Sequence, residues 1–462
     1  MIFYCIERRK ILKKYFGTDG IRRIANTELS PEFVYKVAKA GAYVLAKHSN
    51  HTPTILIGRD TRISGTLIES AMTSGFLSYG ANVKLLGVIP TPAVAYLTKK
   101  LNADAGVVIS ASHNTFEFNG IKFFSNKGMK IADEIEEEIE EVIDSGKIEE
   151  LTAENEKIGT SKVHTEYIYE YAGFIRDLFK DIKVAEDFVV GIDTANGATY
   201  EIAKYIFEEL GINYKIINNF PNGININKGC GSTHLEGLKE FVVQNKLSLG
   251  IAYDGDGDRC LVVDDEGNEI NGDILLAIFS DYMKKNGTLK QDTLVATVMS
   301  NLGLKKYSKE NGINYVDTKV GDRYVLEKML KHDYNLGGEQ SGHIILLDYN
   351  PTGDGILTSL MLIKILLENN VKASEARKII SIYPQVLVNA RVKNEKKYDY
   401  FEDSEIQEEI KKIEKEFLDN GRVLIRTSGT EPLVRVMIEG EDEAYIAKRA
   451  EELADLIQNK LN

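Results

Sequence analysis

Leu249-Gly-Ile-Ala-Tyr253 runs straight into Asp254-Gly-Asp256-Gly-Asp258-Arg259 and leaves through Cys260-Leu-Val-Val263. The apolar flanks read as two strands and the acids as the loop that joins them. Glycines between the acids allow a tight turn with positive φ, so three carboxylates converge on one point. Two carboxylates about 4 Å apart repel by roughly 4 kcal/mol at an effective dielectric of about 20. A divalent cation removes that penalty. Hard oxygen ligands suit Mg²⁺, which shares its shell with phosphate or water. A helix–loop–helix calcium site is excluded, because it needs glycine at the loop position where Arg259 stands. Taken alone, the stretch also reads as an acidic hairpin turn.

Outward from this loop, strands alternate with helices. Towards the N-terminus, Thr54-Ile-Leu-Ile-Gly58 reads as a buried strand, Ser64 to Tyr79 as a helix, and Val83-Lys-Leu-Leu and Val107-Val-Ile as further strands. Phe188 to Asp193, Tyr200 to Leu210 and Tyr214 to Ile217 repeat the pattern as strand, helix and strand. Thr293 to Val298, Leu302 to Asn311, Asn314 to Asp317 and Tyr324 to Leu330 repeat it again. This predicts an α/β protein of three serial units with parallel or mixed sheets. A long apolar helix spans Gly355 to Glu368, and Tyr383-Pro384 breaks the chain. The remainder reads as an α+β domain with helices at Ser404 to Leu418 and Glu443 to Lys460. The expected boundaries are a tail at 1–14, α/β units at 15–162, 163–267 and 268–382, and the last domain at 383–462. The acidic stretch Asp133 to Lys157 reads as a solvated helix and linker.

Composition narrows the function. The chain has 462 residues, 43% of them hydrophobic, with a formal net charge of −13. That charge disfavours nonspecific binding to nucleic acid or an anionic membrane, so neither is expected as a partner. Cys5, Cys230 and Cys260 are too few and scattered for a disulfide framework, which fits a reducing, cytoplasmic setting. No apolar run approaches the roughly 20 residues of a membrane span. The N-terminus is apolar first and basic next, the reverse of a secretory signal.

Other loops carry candidate chemistry. Ser110-Ala-Ser112-His113-Asn114 puts a serine on the loop after a strand, without the Gly-x-Ser-x-Gly elbow of the α/β-hydrolases. On its own that is better read as a turn held by Ser and Asn side chains. Arg426-Thr-Ser428-Gly429-Thr430 followed by Arg435 combines amides, hydroxyls and two guanidinium groups, which is a nest for a dianionic phosphate. Gly338-Glu339-Gln340-Ser341-Gly342-His343 offers a carboxylate and a hydroxyl suited to sugar hydroxyls. Lys319, Lys122 and Arg22 add cations on neighbouring loops, each unremarkable singly.

The Ser112 loop, the aspartate triplet, the Glu339 loop and the Arg426 loop occur in this order in the α-D-phosphohexomutases, which the chain resembles from about Lys14 to its end. Tyr15-Phe-Gly-Thr-Asp-Gly-Ile-Arg22, Cys230-Gly-Ser-Thr-His-Leu-Glu236, Lys319-Val-Gly-Asp-Arg323 and Gln340 place it nearest the branch that acts on glucosamine phosphates. The resemblance implies three α/β domains with mixed sheets and a C-terminal α+β domain around a central cleft. It implies Ser112 as the phosphorylated serine and Asp254, Asp256 and Asp258 as ligands of one Mg²⁺ per active site, with a phosphoserine oxygen from Ser112 completing the protein's share. Glu339 and Ser341 resemble residues that grip sugar hydroxyls, with Arg259 and Lys319 also expected at the substrate. Arg426, Ser428, Gly429, Thr430 and Arg435 resemble the loop for the phosphate that does not react. Arg22, Lys122 and His343 resemble groups proposed to move or stabilise protons.

The activity implied by this resemblance is that of an intramolecular phosphotransferase. It would interconvert glucosamine 6-phosphate and glucosamine 1-phosphate through a bisphosphate, ahead of UDP-N-acetylglucosamine synthesis. Glucose- or glucosamine-1,6-bisphosphate is the candidate activator, and a monomer or homodimer is expected. Thr115, Arg23 and Thr427 depart from residues frequent in relatives, which bears on substrate choice more than on chemistry. The rival readings are a mutase for mannose or glucose phosphates and a sugar-phosphate-binding protein without turnover.

Overall fold

The computed structural model describes residues 14–17, 19–47, 49–418, 420–428 and 431–462. They fall into two compact units. One runs to Met299 and resumes over Gly312–Ile379; the other comprises Ser300–Asn311 and Ile380–Asn462.

The first unit holds three sheets of related design. In the first, β1 (Ile21–Ile24), β2 (Thr54–Arg59), β3 (Asn82–Val88), β4 (Ala105–Ile109), β5 (Phe118–Ser125) and β6 (Ser161–Val163) lie in the order β1-β5-β4-β2-β3-β6. Strands β4, β2, β3 and β6 are parallel, whereas β5 runs antiparallel to β4 and β1. The helices Pro31–Ala46 and Gly65–Tyr79 cover this sheet with Val34, Val37, Ile68, Met72 and Phe76, all buried against Ile55, Ile57 and Val107. β4 is apolar on both faces, as a central parallel strand must be.

The second sheet contains β7 (Val189–Asp193), β8 (Asn213–Ile217), β9 (Leu249–Tyr253), β10 (Cys260–Asp264) and β11 (Glu269–Ile270). The third contains β12 (Thr293–Thr297), β13 (Asn314–Thr318), β14 (Leu336–Gly338) and β15 (Ile344–Leu346). In each, one antiparallel strand comes after the last parallel one: β10 after β9, and β15 after β14. Hence the loops β4–β5, β9–β10 and β14–β15 occupy equivalent places in three sheets, and they carry Ser112, the aspartate triplet and Glu339 in turn. The expected serial α/β organisation with mixed sheets is what the chain adopts.

The second unit is an antiparallel sheet, β16 (Gln385–Arg391), β18 (Leu433–Gly440) and β17 (Gly421–Thr427) in that spatial order, backed by the helices Ser404–Phe417 and Glu443–Leu461. The helix Leu302–Glu310 packs with it. The reason is Glu439, wholly buried, whose carboxylate accepts from Leu302 N (2.8 Å), Arg422 Nε (2.5 Å) and Gln385 Nε2 (3.1 Å). The Asn301 amide adds paired bonds to the Tyr383 backbone at 2.9 and 3.0 Å.

The acidic helix Asp133–Asp144 does more than the expected solvated linker. Glu136 is buried and accepts from Arg323 Nη2 at 2.6 Å, with Asp133 on the same guanidinium. Glu140 accepts the backbone N–H groups of Lys14 (2.8 Å), Tyr15 (2.7 Å) and Phe16 (2.7 Å), so the start of the described chain is pinned to this helix. Residues 1–13, most of the expected tail, lie outside the described residues.

Candidate active site

Ser112 sits at the turn out of β4 with φ at +50° and is almost fully buried. Its Oγ donates to Asp254 Oδ2 at 2.7 Å. Chemistry from the first sheet therefore touches the acidic loop of the second. His113 Nδ1 stands 3.4 Å from the same Oγ, and burial, then Arg259 and Arg22, lower that imidazole to about 4.

Asp254, Asp256 and Asp258 are all buried, with one carboxylate oxygen from each within 4.8 Å of the others. Asp256 Oδ1 and Asp258 Oδ1 are enclosed without a hydrogen-bond partner. Orphaned anionic oxygens of this kind are expensive unless a ligand meets them. Their surroundings push two of these acids in opposite directions. Burial, reinforced by Asp258 and Asp256, pushes the Asp254 carboxyl well above the usual range. Burial acts the same way on Asp258, but Lys122, His343 and Arg259 outweigh it and hold that group well below the range. Hard, converging, partly unsatisfied oxygens fit Mg²⁺.

A ring of alternating charge surrounds the triplet. Lys122 Nζ lies 2.9 Å from Asp256 Oδ2, 3.2 Å from Asp19 Oδ2 and 3.6 Å from Asp258 Oδ2. Asp19 also takes Lys130 Nζ at 2.5 Å and pairs with Arg22. Lys130 reaches on to Asp322, and His343 Nε2 is 3.4 Å from Asp322 Oδ2 while its Nδ1 is 3.6 Å from Asp258 Oδ2. Burial alone would depress His343, but Asp322 and Asp258 raise it. Gly353 N–H donates to His343 Nε2 at 3.0 Å, and a methyl group at 353 would stand 2.6 Å from the ring. The structure thus gathers Arg22, Lys122, Arg259 and His343 around Ser112 and the triplet. Asp19, Lys130 and Asp322 belong to the same ring. The first and last lie inside stretches already singled out, whereas Lys130 has no motif to mark it.

On the third sheet's loop, Glu339 Oε1 accepts from Gly321 N at 3.0 Å, and Ser341 Oγ is enclosed with no hydrogen-bond partner. Burial, then Asp322, raises the Glu339 carboxyl. Lys319 lies exposed on the loop preceding Gly321.

The C-terminal module places Arg426 and Arg435 directly opposite each other on β17 and β18. Like charges in that register repel. Burial, then Arg435, lowers the Arg426 guanidinium. Ser428 is buried where the hairpin begins, its N–H donating to Leu433 O at 2.9 Å and its carbonyl accepting from Lys397 Nζ at 3.1 Å. Gly429 and Thr430 lie outside the described residues.

Four models of the phosphoglucomutase/phosphomannomutase family match the chain in order: alpha/beta/alpha domain I over residues 13–150, domain II over 165–267, domain III over 271–383 and the C-terminal domain over 387–456. A phosphoglucomutase/phosphomannomutase family protein from Burkholderia thailandensis has the same fold, with a TM-score of 0.77 at 22% identity over 97% of both chains. So does the Aspergillus fumigatus N-acetylphosphoglucosamine mutase solved with GlcNAc-6P and magnesium, with a TM-score of 0.69 at 16% identity over 97% of this chain and 96% of that one. The class is therefore that of the phosphohexomutases. Phosphoglucosamine mutase from Acetivibrio thermocellus is 54% identical over 451 residues, covering 97% of this chain and 99% of the relative. The enzyme of the same name from Clostridium kluyveri is 52% identical over 98% of this chain and 100% of its own. Within that class, the chain belongs to the phosphoglucosamine mutase family. It is an intramolecular phosphotransferase.

Proposed function

We propose that the protein interconverts glucosamine 6-phosphate and glucosamine 1-phosphate, with Ser112 as the phosphoryl carrier. In the forward direction the bond from Ser112 Oγ to phosphorus breaks as O1 of the sugar forms its own. The O1 proton leaves to a base, and a bisphosphate results. The bisphosphate turns over, the 6-phosphoryl group passes to Ser112 Oγ, and O6 takes up a proton. Atoms balance, and the enzyme ends as it began.

Asp254, Asp256 and Asp258, with a phosphoserine oxygen, would hold Mg²⁺, which when bound neutralises charge on the transferring group. Lys122 and Arg22 bring positive charge to the same place, which suits charge that builds on the phosphoryl oxygens. His343 and Lys122 are the candidates to move the hydroxyl proton. Glu339 and Ser341 orient the sugar, and Ser341 Oγ is a donor and acceptor still to be used. Arg259 and Lys319 complete the substrate's surroundings. To Arg426, Ser428, Gly429, Thr430 and Arg435 we assign the phosphate that does not react. Glucose- or glucosamine-1,6-bisphosphate would load Ser112 initially.

The observation that carries this reading is Ser112 Oγ at 2.7 Å from a carboxylate of a buried triplet that still has unsatisfied oxygens. The choice of glucosamine rests on relatives 51–54% identical over nearly the whole chain. Phosphorus NMR with Mg²⁺ and each of glucosamine, mannose and glucose 6-phosphate tests it. The 1-phosphate should accumulate fastest from glucosamine. Faster turnover of mannose or glucose phosphate would overturn the substrate, and no turnover of any would overturn the activity.

A further inference from the structure

Arg62 takes no part in the chemistry above, yet it is wholly buried beside the nucleophile. A guanidinium has five N–H groups in a fixed fork. Here each has an oxygen. Nε donates to Asp60 Oδ2 at 2.8 Å. Nη2 donates to Ser112 O at 3.0 Å and Asn114 O at 2.8 Å. Nη1 donates to Phe118 O at 3.1 Å and, more closely, to Thr115 O. Four of the five acceptors are main-chain carbonyls at or beside the single loop between β4 and β5.

Two neighbours complete the clamp. Asp60 Oδ2 also accepts from Ser110 Oγ at 2.5 Å, and Ser110 Oγ in turn accepts the Ser112 N–H at 2.9 Å. Asn227, from the region of the second sheet, which carries the aspartates, donates Nδ2 to Ser112 O and Asn114 O, both at 2.8 Å. The Ser112 amide and carbonyl are thereby both fixed. This is what sustains the left-handed backbone of Ser112, which a non-glycine residue enters only at a cost. It also sets where Oγ points.

We infer that Arg62 is the positioning residue of the phosphoryl carrier. It touches neither sugar nor reacting atoms; it acts by holding Ser112 Oγ at one place through both half-reactions. The inference rests on the reading of Ser112 as that carrier. A lysine could not reproduce the fork, since its three donors radiate from one point. Loss of the clamp should therefore slow phosphoryl transfer and spare sugar-phosphate binding.

The test compares Arg62→Lys, Arg62→Ala with and without added guanidinium ion, Asn227→Ala, and Ser112→Ala, each first shown to be folded by circular dichroism. Misplacing a reacting group by about 1 Å costs about 100-fold, so Arg62→Lys should lose about 100-fold in kcat while KM stays within about twofold. Guanidinium should restore at least about tenfold of the Arg62→Ala loss and nothing to Ser112→Ala. Should the Arg62 variants not fold, Asn227→Ala removes two bonds to the same carbonyls and should lower kcat about tenfold at unchanged KM. Wild-type kcat in every folded clamp variant, or a loss that falls on KM alone, would overturn the positioning role. An active Ser112→Ala would instead overturn the carrier assignment itself.

Discussion

Gly255 and Gly257 both separate aspartates, but they serve different ends. Gly257 has φ at +69°, and a methyl there would meet Thr199 Cγ2 at 2.6 Å. Gly255 has no positive φ; it lets the backbone pass Ser112 O, which a methyl would meet at 2.6 Å. The sequence suggests positive φ for both, whereas crowding by Ser112 O, Asn227 Nδ2 and Ile226 Cδ1 explains Gly255. Gly257→Ala should destabilise the fold by about 1–3 kcal/mol in chemical unfolding, from forced left-handed backbone alone. Gly255→Ala should displace the serine loop and lower kcat. At Ser112 itself, alanine removes one side-chain hydrogen bond to Asp254 and the acceptor of phosphate. Turnover should fall by at least about a thousandfold with the thermal midpoint nearly unchanged. Removing divalent cations with a chelator should abolish turnover, and Mg²⁺ should restore it. Ser112 and the triplet stand out in the sequence only in company with the Glu339 and Arg426 loops, since each alone also reads as a turn. Asp60, Arg62, Lys130 and Asn227 do not stand out, because their meaning lies in partners distant along the chain.

The elements show where reading by pattern ends. Strands β2, β7, β9 and β12 fall where apolar runs place them, since a parallel strand buried on both faces has a continuous apolar signature. The helix Asp133–Asp144 misleads, because its acidity reads as solvation. Glu136 is buried by pairing with Arg323, 187 residues on, and no local pattern reveals that. Arg323→Met would remove the guanidinium that Glu136 and Asp133 share and should cost about 3–5 kcal/mol in chemical unfolding. A merely solvated helix would show almost none. The hairpin β17–β18 holds Arg426 opposite Arg435 with their repulsion only partly offset, the contact from Arg435 Nη2 to Glu431 being 3.4 Å. A dianion relieves that repulsion. Inorganic phosphate should accordingly raise the thermal midpoint of the protein, and less so in Arg435→Gln.

At the scale of the molecule, a chain of net charge −13 holds Arg22, Lys122, Lys130 and Arg259 together around Asp19 and the aspartate triplet. Burial alone would lower Lys122 and Lys130, but Asp19 raises both, helped by Asp256 and Asp258 at Lys122 and by Asp322 and Asp258 at Lys130. Three sheets of one design each lend the loop between their last parallel strand and its antiparallel partner, which is why one charged cluster draws on residues from Asp19 to Gly353. The fold class is legible from strand–helix alternation. That three equivalent hairpins supply the site is not, because topology emerges only when the sheets are paired. The central claim is that phosphate resides on Ser112 during catalysis. Enzyme carrying isotopically labelled phosphoryl on Ser112, mixed with unlabelled glucosamine 6-phosphate and Mg²⁺, tests this in a single turnover. Label is expected to leave the protein and appear in bisphosphate and then in glucosamine phosphate. Label that stays on the protein while product accumulates would contradict that claim.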